Sequence, residues 1–355
     1  MDTSVGLAAL PAWLDERAAR GEFSGVVLLR RGGETVFEHA AGLASRAHGV
    51  PNTMSTRFAV ASISKWPLAV AVLRLVERGD MDLHAPVIDL LPADQVPTAV
   101  TPKLTLHHLL SMSSGLGNYV DDEDETWAQF EDVIASLPGR GRRPVDLVPA
   151  MRDLPANRPP GVSYEYCDTN FVLVGLVLEA VTGREWSTVL ADEVLVPVGM
   201  TDTAVEEIDR DPARMATGYL VDDGPVENRR TNVFSLTARG MPDGGALSTA
   251  ADLATFVETL FAGRLLGPDL LTAMQTPQAP SPDDPEFYGY GCLLGVEDGR
   301  VAVVGHNGGD PGATCVLAHH PAANATVVVL CNQDRGVWAP AMTATEALGL
   351  RDPRK

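Results

Sequence analysis

Helical and strand-like spacings of apolar residues occupy different parts of this chain. Residues 4–19 carry apolar positions at helical intervals and stop at Gly21, which predicts one helix. In "GVVLLRRGGETVFEHAAG" two apolar runs flank Gly32-Gly33, which predicts two strands around a tight turn. From about residue 62 to residue 265 helical spacing dominates. "LTLHHLLSMSSGL" predicts a short helix closed near Gly115, and "NFVLVGLVLEAVTG" predicts a buried helix ending at Gly183. In "STAADLATFVETLFAG" Thr249 stands three residues before Asp252, a capping signature, and the helix is expected to end at Gly263. Strands return as "YGYGCLLGVE", "RVAVVGHNG", "ATCVLAHHP" and "ATVVVLCNQ", ahead of a final helix from about Ala339.

Strands thus lie at both ends of the chain and helices between them. Hairpin-like spacing of the last four implies antiparallel pairing, and the simplest closure joins the N-terminal and C-terminal strands into one sheet. The expected fold is α/β, of the α+β type: an antiparallel sheet flanked by helices, with an inserted, mainly helical part. The chain reads as a single domain over 1–355, with an α/β part at about 1–61 plus 266–355 and a helical part at about 62–265. There is no internal repeat. "DDEDE" (Asp121–Glu125) and "PGRGRRP" (Pro138–Pro144) read as polar surface loops.

At 355 residues and 45% hydrophobic, the chain can bury a sizeable core. A formal net charge of −20 repels nucleic acid and anionic membranes, so neither is expected as a partner. No apolar run is long enough for a membrane span. The first residues lack a basic segment, an apolar stretch and a small-residue cleavage site, so a cytoplasmic protein without signal peptide is expected. Cys167, Cys292, Cys315 and Cys331 form no C-x-x-C pair, and the last three sit in strand-like runs, as buried free thiols do. No His, Cys or carboxylate cluster has ligand spacing, so neither a metal nor another cofactor is expected. Oligomeric state cannot be read from the sequence.

Lysine occurs only at Lys65, Lys103 and Lys355. Lys65 lies inside the apolar run "FAVASISKWPLAV", three residues after Ser62. A serine hydroxyl is a weak nucleophile near neutral pH and needs a base beside it. On a helix the three-residue spacing sets both side chains on one face. A lysine desolvated among apolar neighbours can take the serine proton, whereas arginine, with a pKa above about 12, cannot. Ser62 is therefore the candidate nucleophile, Lys65 its base, and Ser64 a packing residue. Trp66 either lines the pocket or packs. Pro67 falls early in the presumed helix, where a missing N–H costs little only in the first turn. S-x-x-K alone is a weak motif and needs partners elsewhere.

Two partners follow: "YEYCD", with Tyr166 and Asp168, and "GHNGGDPG", with His306, Gly308 and Gly309 at a strand end. In the order "SISK", "YCD", "HNG" the chain resembles the serine β-lactamase and penicillin-binding-protein superfamily. It is similar above all to the class C branch, with its family VIII esterases, D-aminopeptidases and acyl transferases. "ERGDMDLHAPV", "LTLHHLLSMSSGL" and "GGALSTAADLATF" support the resemblance, which spans roughly residues 24–332. It implies that Ser62 accepts the acyl group, that Lys65 is its base, and that Tyr166 shuttles a proton to the leaving group, with Tyr164 a packing aromatic. It also implies an oxyanion hole from the N–H groups of Ser62 and Gly309, where one donor is typically worth about 3 kcal/mol. Gly308 and Gly309 would leave the approach of the substrate carbonyl open.

Asp168 stands where the family usually has Asn. It is expected to be tolerated or to bind a donor group of the substrate; the alternative is that it holds Lys65 charged, which would impair a base. His306 stands where β-lactamases carry Lys. With an ordinary pKa of about 6.5 it would be mostly neutral and would recognise a substrate carboxylate weakly. His107 and His108 read as helix or loop residues, and His319 and His320 are expected to face solvent. The shared chemistry is acylation of serine, then transfer to water, an amine or an alcohol. A small-molecule ester, amide or lactam is the implied substrate, and the departures favour an esterase or amidase on small acyl compounds. The alternatives are an acyl transferase of secondary metabolism, a β-lactamase or D-Ala-D-Ala-type peptidase, and a non-catalytic acyl-binding sensor.

Overall fold

The computed structural model describes residues 5–120, 127–222, 224–281 and 287–354, and the "DDEDE" segment lies outside them. Helix α1 (Leu10–Ala19) begins at Leu10 rather than at residue 4. Pro11 sits in its first turn, where the N–H it lacks has no helical partner to lose. Strands β1 (Gly25–Arg31) and β2 (Glu34–Ala41) pair antiparallel around Gly32 and Gly33. Both glycines have positive φ, 62° and 85°, a region that residues with a Cβ rarely enter.

The middle of the chain supplies helices α2 (Lys65–Glu77), α3 (Leu106–Leu110), α4 (Asp168–Thr182) and α5 (Ala250–Phe261). Helix α4 stops at Gly183, which takes the left-handed conformation, and Thr249 caps α5 by accepting from the Asp252 N–H at 3.2 Å. Strands β3 (Phe287–Tyr288), β4 (Leu293–Glu297), β5 (Arg300–Asp310), β6 (Ala313–His320) and β7 (Ala325–Cys331) follow, then helix α6 (Trp338–Ala347). All seven strands form one antiparallel sheet in the order β2-β1-β7-β6-β5-β4-β3. Its two ends of chain meet where Gly25 pairs with Cys331 and Arg31 with Ala325.

Alternate residues of the central strands serve two cores. Val26, Leu28, Val328 and Leu330 pack in the core that contains α2, α4 and α5. Val27, Leu29, Val327 and Val329 pack with Leu10 and Leu14 of α1 and Ala341 and Ala344 of α6. Both faces are covered, so "GVVLL" and "TVVVL" read as continuous apolar runs rather than as alternation. No helix among the described residues is long and apolar enough to cross a membrane.

His319 and His320 do not face solvent. They end β6 and are 2% and 5% exposed. Helix α5 lies over this end of the sheet: the His319 ring is 4.3 Å from that of Phe261, and its Nδ1 lies 3.0 Å from Thr326 Oγ1. His107 and His108 belong to α3 and its cap: His107 Nδ1 is 2.8 Å from the Tyr290 hydroxyl, and His108 Nδ1 accepts from the Thr105 N–H at 3.1 Å. The four cysteines are buried free thiols, with Cys292 just ahead of β4. A second, small sheet matters most for the site. Ala246–Ser248 pairs with Phe58–Ala59 on one side and with Ala204–Val205 on the other, which anchors the segment leading into Ser62.

Candidate active site

Ser62 lies on a single 3-10 turn, Ala61–Ser64, that runs directly into α2 at Lys65. The turn is entered through a bend: Ala61 has φ 47°, in the left-handed region, which costs a non-glycine residue about 1–2 kcal/mol. Ala61 is fully buried, and Ser64 Oγ accepts the Ala246 N–H at 3.0 Å, so the turn is held from the small sheet. Ser64 thus has a polar anchoring role beyond packing. Pro67 is the third residue of α2, inside its first turn. Trp66 packs: it is buried, with Phe256 edge-on at 5.5 Å.

Lys65 is fully buried, and its Nζ donates to Ser62 Oγ at 2.7 Å, to Asp168 Oδ1 at 2.6 Å and to the Asp243 carbonyl. Three acceptors use all three ammonium protons. The apolar surroundings expected of Lys65 therefore do not describe its head group. It starts its helix and leaves the apolar stripe for the carboxylate at the start of α4 and the carbonyl of Asp243.

Asp168 is the first residue of α4, and its N–H donates to Asn118 Oδ1 at 2.9 Å. A helix N-terminus favours a carboxylate there. Of the roles open to Asp168, pairing with Lys65 is the one its geometry fills. Breaking a buried pair by removing one partner typically costs about 3–5 kcal/mol, because the other charge stays buried. Asp168→Ala is therefore expected to lower stability by about that amount in denaturant titrations. The double variant Lys65→Met/Asp168→Ala should recover most of it, and equal losses in both would contradict the pairing.

Tyr166 belongs to the same cluster, with its ring 5.2 Å from Lys65 Nζ and 6.2 Å from the His306 ring. Tyr164 stacks on Tyr288 at 5.7 Å and 13°, as a packing aromatic does. His306 is neutral, as expected, but more deeply buried than an ordinary histidine. It is 1% exposed, with Nε2 3.0 Å from the Tyr288 hydroxyl and Nδ1 2.6 Å from the Asn307 carbonyl. Burial, helped by nearby Lys65, pushes it down to about 3. Its ring lies 6.2 Å from that of Tyr166 and 5.8 Å from that of Tyr288, so the imidazole sits among aromatic rings beside the cluster. A histidine held neutral in the folded state adds stability that is full above the unfolded pKa of about 6.5 and is lost as pH falls toward the folded one. His306→Gln should accordingly show a smaller fall in Tm between about pH 7 and pH 4 than the parent chain.

The two glycines of β5 do different work. A Cβ on Gly308 would come within 2.4 Å of the Val60 carbonyl oxygen, so Gly308 lets β5 press on the backbone leading to Ser62. A Cβ on Gly309 would meet nothing within 4 Å. Pairing of β5 with β4 ends at Gly305–Leu293, which leaves the β5 edge open at Gly309.

Ser62, Asp168 and Gly309 line one cavity of about 110 Å³. The sequence reading missed three further wall residues: Tyr119, Asp243 and Asp310. Tyr119 donates its hydroxyl proton to Asp243 Oδ2 at 2.5 Å. Burial pushes the Asp243 carboxyl up to about 6, against the pull of Lys65. Asp243 and Asp310 stand beside stretches already singled out, "GGALSTAADLATF" and "HNG", but nothing in local spacing marks them as pocket residues. Apolar side chains, among them Trp127, Phe130, Ile134, Met215 and Met241, form the rest of the wall.

A family profile described as Beta-lactamase matches residues 10–350. Esterase EstB of Burkholderia gladioli is 33% identical over 225 residues, 62% of this chain and 56% of its own length, so this chain spans little more than half of that relative. The crystal structure of a penicillin binding protein from Bacillus halodurans superposes with a TM-score of 0.85 at 34% identity, covering 94% of this chain and 99% of that one. The D-amino acid amidase from Ochrobactrum anthropi SV3, complexed with D-phenylalanine, gives a TM-score of 0.78 at 25% identity over 96% and 98% of the two chains. With its sheet, its Ser62–Lys65 turn and a profile match over nearly its whole length, the chain belongs to the beta-lactamase family.

Proposed function

We propose that this chain is a serine hydrolase that cleaves small esters or amides through an acyl-enzyme on Ser62. The contact that carries the reading is Lys65 Nζ to Ser62 Oγ, 2.7 Å, at a cavity shared with Gly309. Ser62 Oγ attacks the substrate carbonyl carbon, and its proton leaves through Lys65. Lys65 can accept that proton only as an amine. A proton passed from Nζ to Asp168 Oδ1 across 2.6 Å provides the amine, a step that Asn in this position could not serve. The N–H groups of Ser62 and Gly309 hold the oxyanion. Tyr166, beside Lys65, returns a proton to the leaving alcohol or amine. Water then releases the acid and restores Ser62.

An esterase and an amidase among the similar proteins support this reading. So does the cavity wall, which among the described residues contains no Arg, Lys or His to receive the carboxylate that sits beside the scissile bond of penicillins. The test is a panel of ester, amide and β-lactam substrates read by intact mass. Short-chain p-nitrophenyl esters should leave one acyl increment on the protein, and absence of any acyl-protein from every ester and amide would refute the proposal.

A further inference from the structure

Resting on the hydrolase reading above, we infer that Asp310 is the counter-ion for a positively charged amino group on the substrate. The site would then select acyl compounds that carry an ammonium close to the scissile carbonyl.

Asp310 ends β5, one residue after Gly309. Side chains alternate along a strand, so Asp310 lies on the same face as Gly308, and that face presses on the Val60–Ala61 backbone just before Ser62. Its Oδ1 is 3.8 Å from where a Cβ on Gly244 would stand, in the loop that also carries Asp243. The carboxylate is half-buried on the cavity wall with Ser62.

Its surroundings lack what a carboxylate needs. Asp168 already has Lys65, and Asp243 already has the Tyr119 hydroxyl. No donor among the described residues hydrogen-bonds Asp310, and burial and repulsion by Asp243 both disfavour its charge. Lys65, which hydrogen-bonds Ser62 on the cavity wall, has its three protons committed. A partly desolvated carboxylate without a partner is costly. A ligand ammonium would supply both the charge and the donors. A ligand carboxylate in the same place would meet only like charge. Apolar residues of the same cavity, among them Trp127, Phe130 and Met241, suit an aryl or alkyl body attached to that ammonium.

The test uses the full chain with Ser62→Ala, so that binding is read without turnover. Three probes share one body and differ in head group: 3-phenylpropylammonium, 3-phenylpropanol and 3-phenylpropionate. Calorimetry at about pH 8 should rank the cation roughly 10- to 100-fold tighter than the alcohol, with the carboxylate weakest. Adding Asp310→Asn should collapse the cation's advantage over the alcohol. Asp310→Ser, smaller and also neutral, repeats the measurement should the first variant fold poorly. Lowering the pH of the Asp310-containing protein should erode the same advantage as the carboxyl takes up a proton. An alcohol that binds as tightly as the ammonium, or an advantage that survives both substitutions, overturns the inference. Neither outcome bears on whether Ser62 is acylated in the parent chain, which the substrate panel decides separately.

Discussion

Replacing Ser62 with Ala is expected to abolish covalent labelling by a fluorophosphonate and to bring ester turnover down to background. Loss of a serine nucleophile alone typically costs about 10⁶-fold in kcat where a triad has been dissected, since base and oxyanion donors have nothing left to activate. Ser64→Ala is the matched control. It removes the acceptor for the Ala246 N–H, a hydrogen bond worth about 1 kcal/mol, and so should lower stability modestly while labelling stays measurable. The two serines differ in direction: Ser62 meets Lys65 and the cavity, whereas Ser64 is turned into the small sheet. Full labelling of the Ser62→Ala protein would remove Ser62 from the reaction.

Lys65→Arg should slow acylation by about 10²–10⁴-fold, the usual worth of general-base assistance, in single-turnover measurements. Arginine keeps the positive charge and a partner for Asp168, but a guanidinium does not give up its proton near neutral pH. The substitution therefore separates charge from proton transfer. The folded fraction is read in parallel from the melting curve, because the site is fully buried and the larger head group must fit between Asp168 and the Asp243 carbonyl. Acylation near the parent rate by a folded Arg variant would show that Lys65 acts through its charge.

Most of the sheet was legible in the sequence because each strand is a short apolar run with turn residues on both sides. The ends of α4 and α5 were legible for a similar reason: Gly183 and the Thr249–Asp252 cap are local signals. Ser62 and Lys65 share one helical turn, so spacing alone could join them. What stayed hidden depends on distant chain. Lys65 was read from its apolar neighbours in sequence, but its head group answers to Asp168 and to the carbonyl of Asp243, more than 100 residues away in both cases. The burial of His306 was hidden too, because the tyrosines at 166 and 288 that pack beside it come from distant chain or from another strand. His319 and His320 looked exposed because they read as following a strand, whereas they end it. A helix from the middle of the chain covers that end of the sheet, and no local pattern announces it.

The pairing of β1 with β7 sets the order of events on the ribosome. Residues 25–31 are translated well before their partner strand at 325–331. Until then the β1–β2 hairpin leaves the β1 edge unpaired and both faces of β1, rich in valine and leucine, uncovered, the kind of intermediate on which strangers pair. Closing so long a loop is slow, and the Gly309 edge of the active site belongs to the same late-arriving strands. The site should therefore assemble only once β7 is available to pair, and truncations that remove β7 should yield insoluble chains rather than weak catalysts.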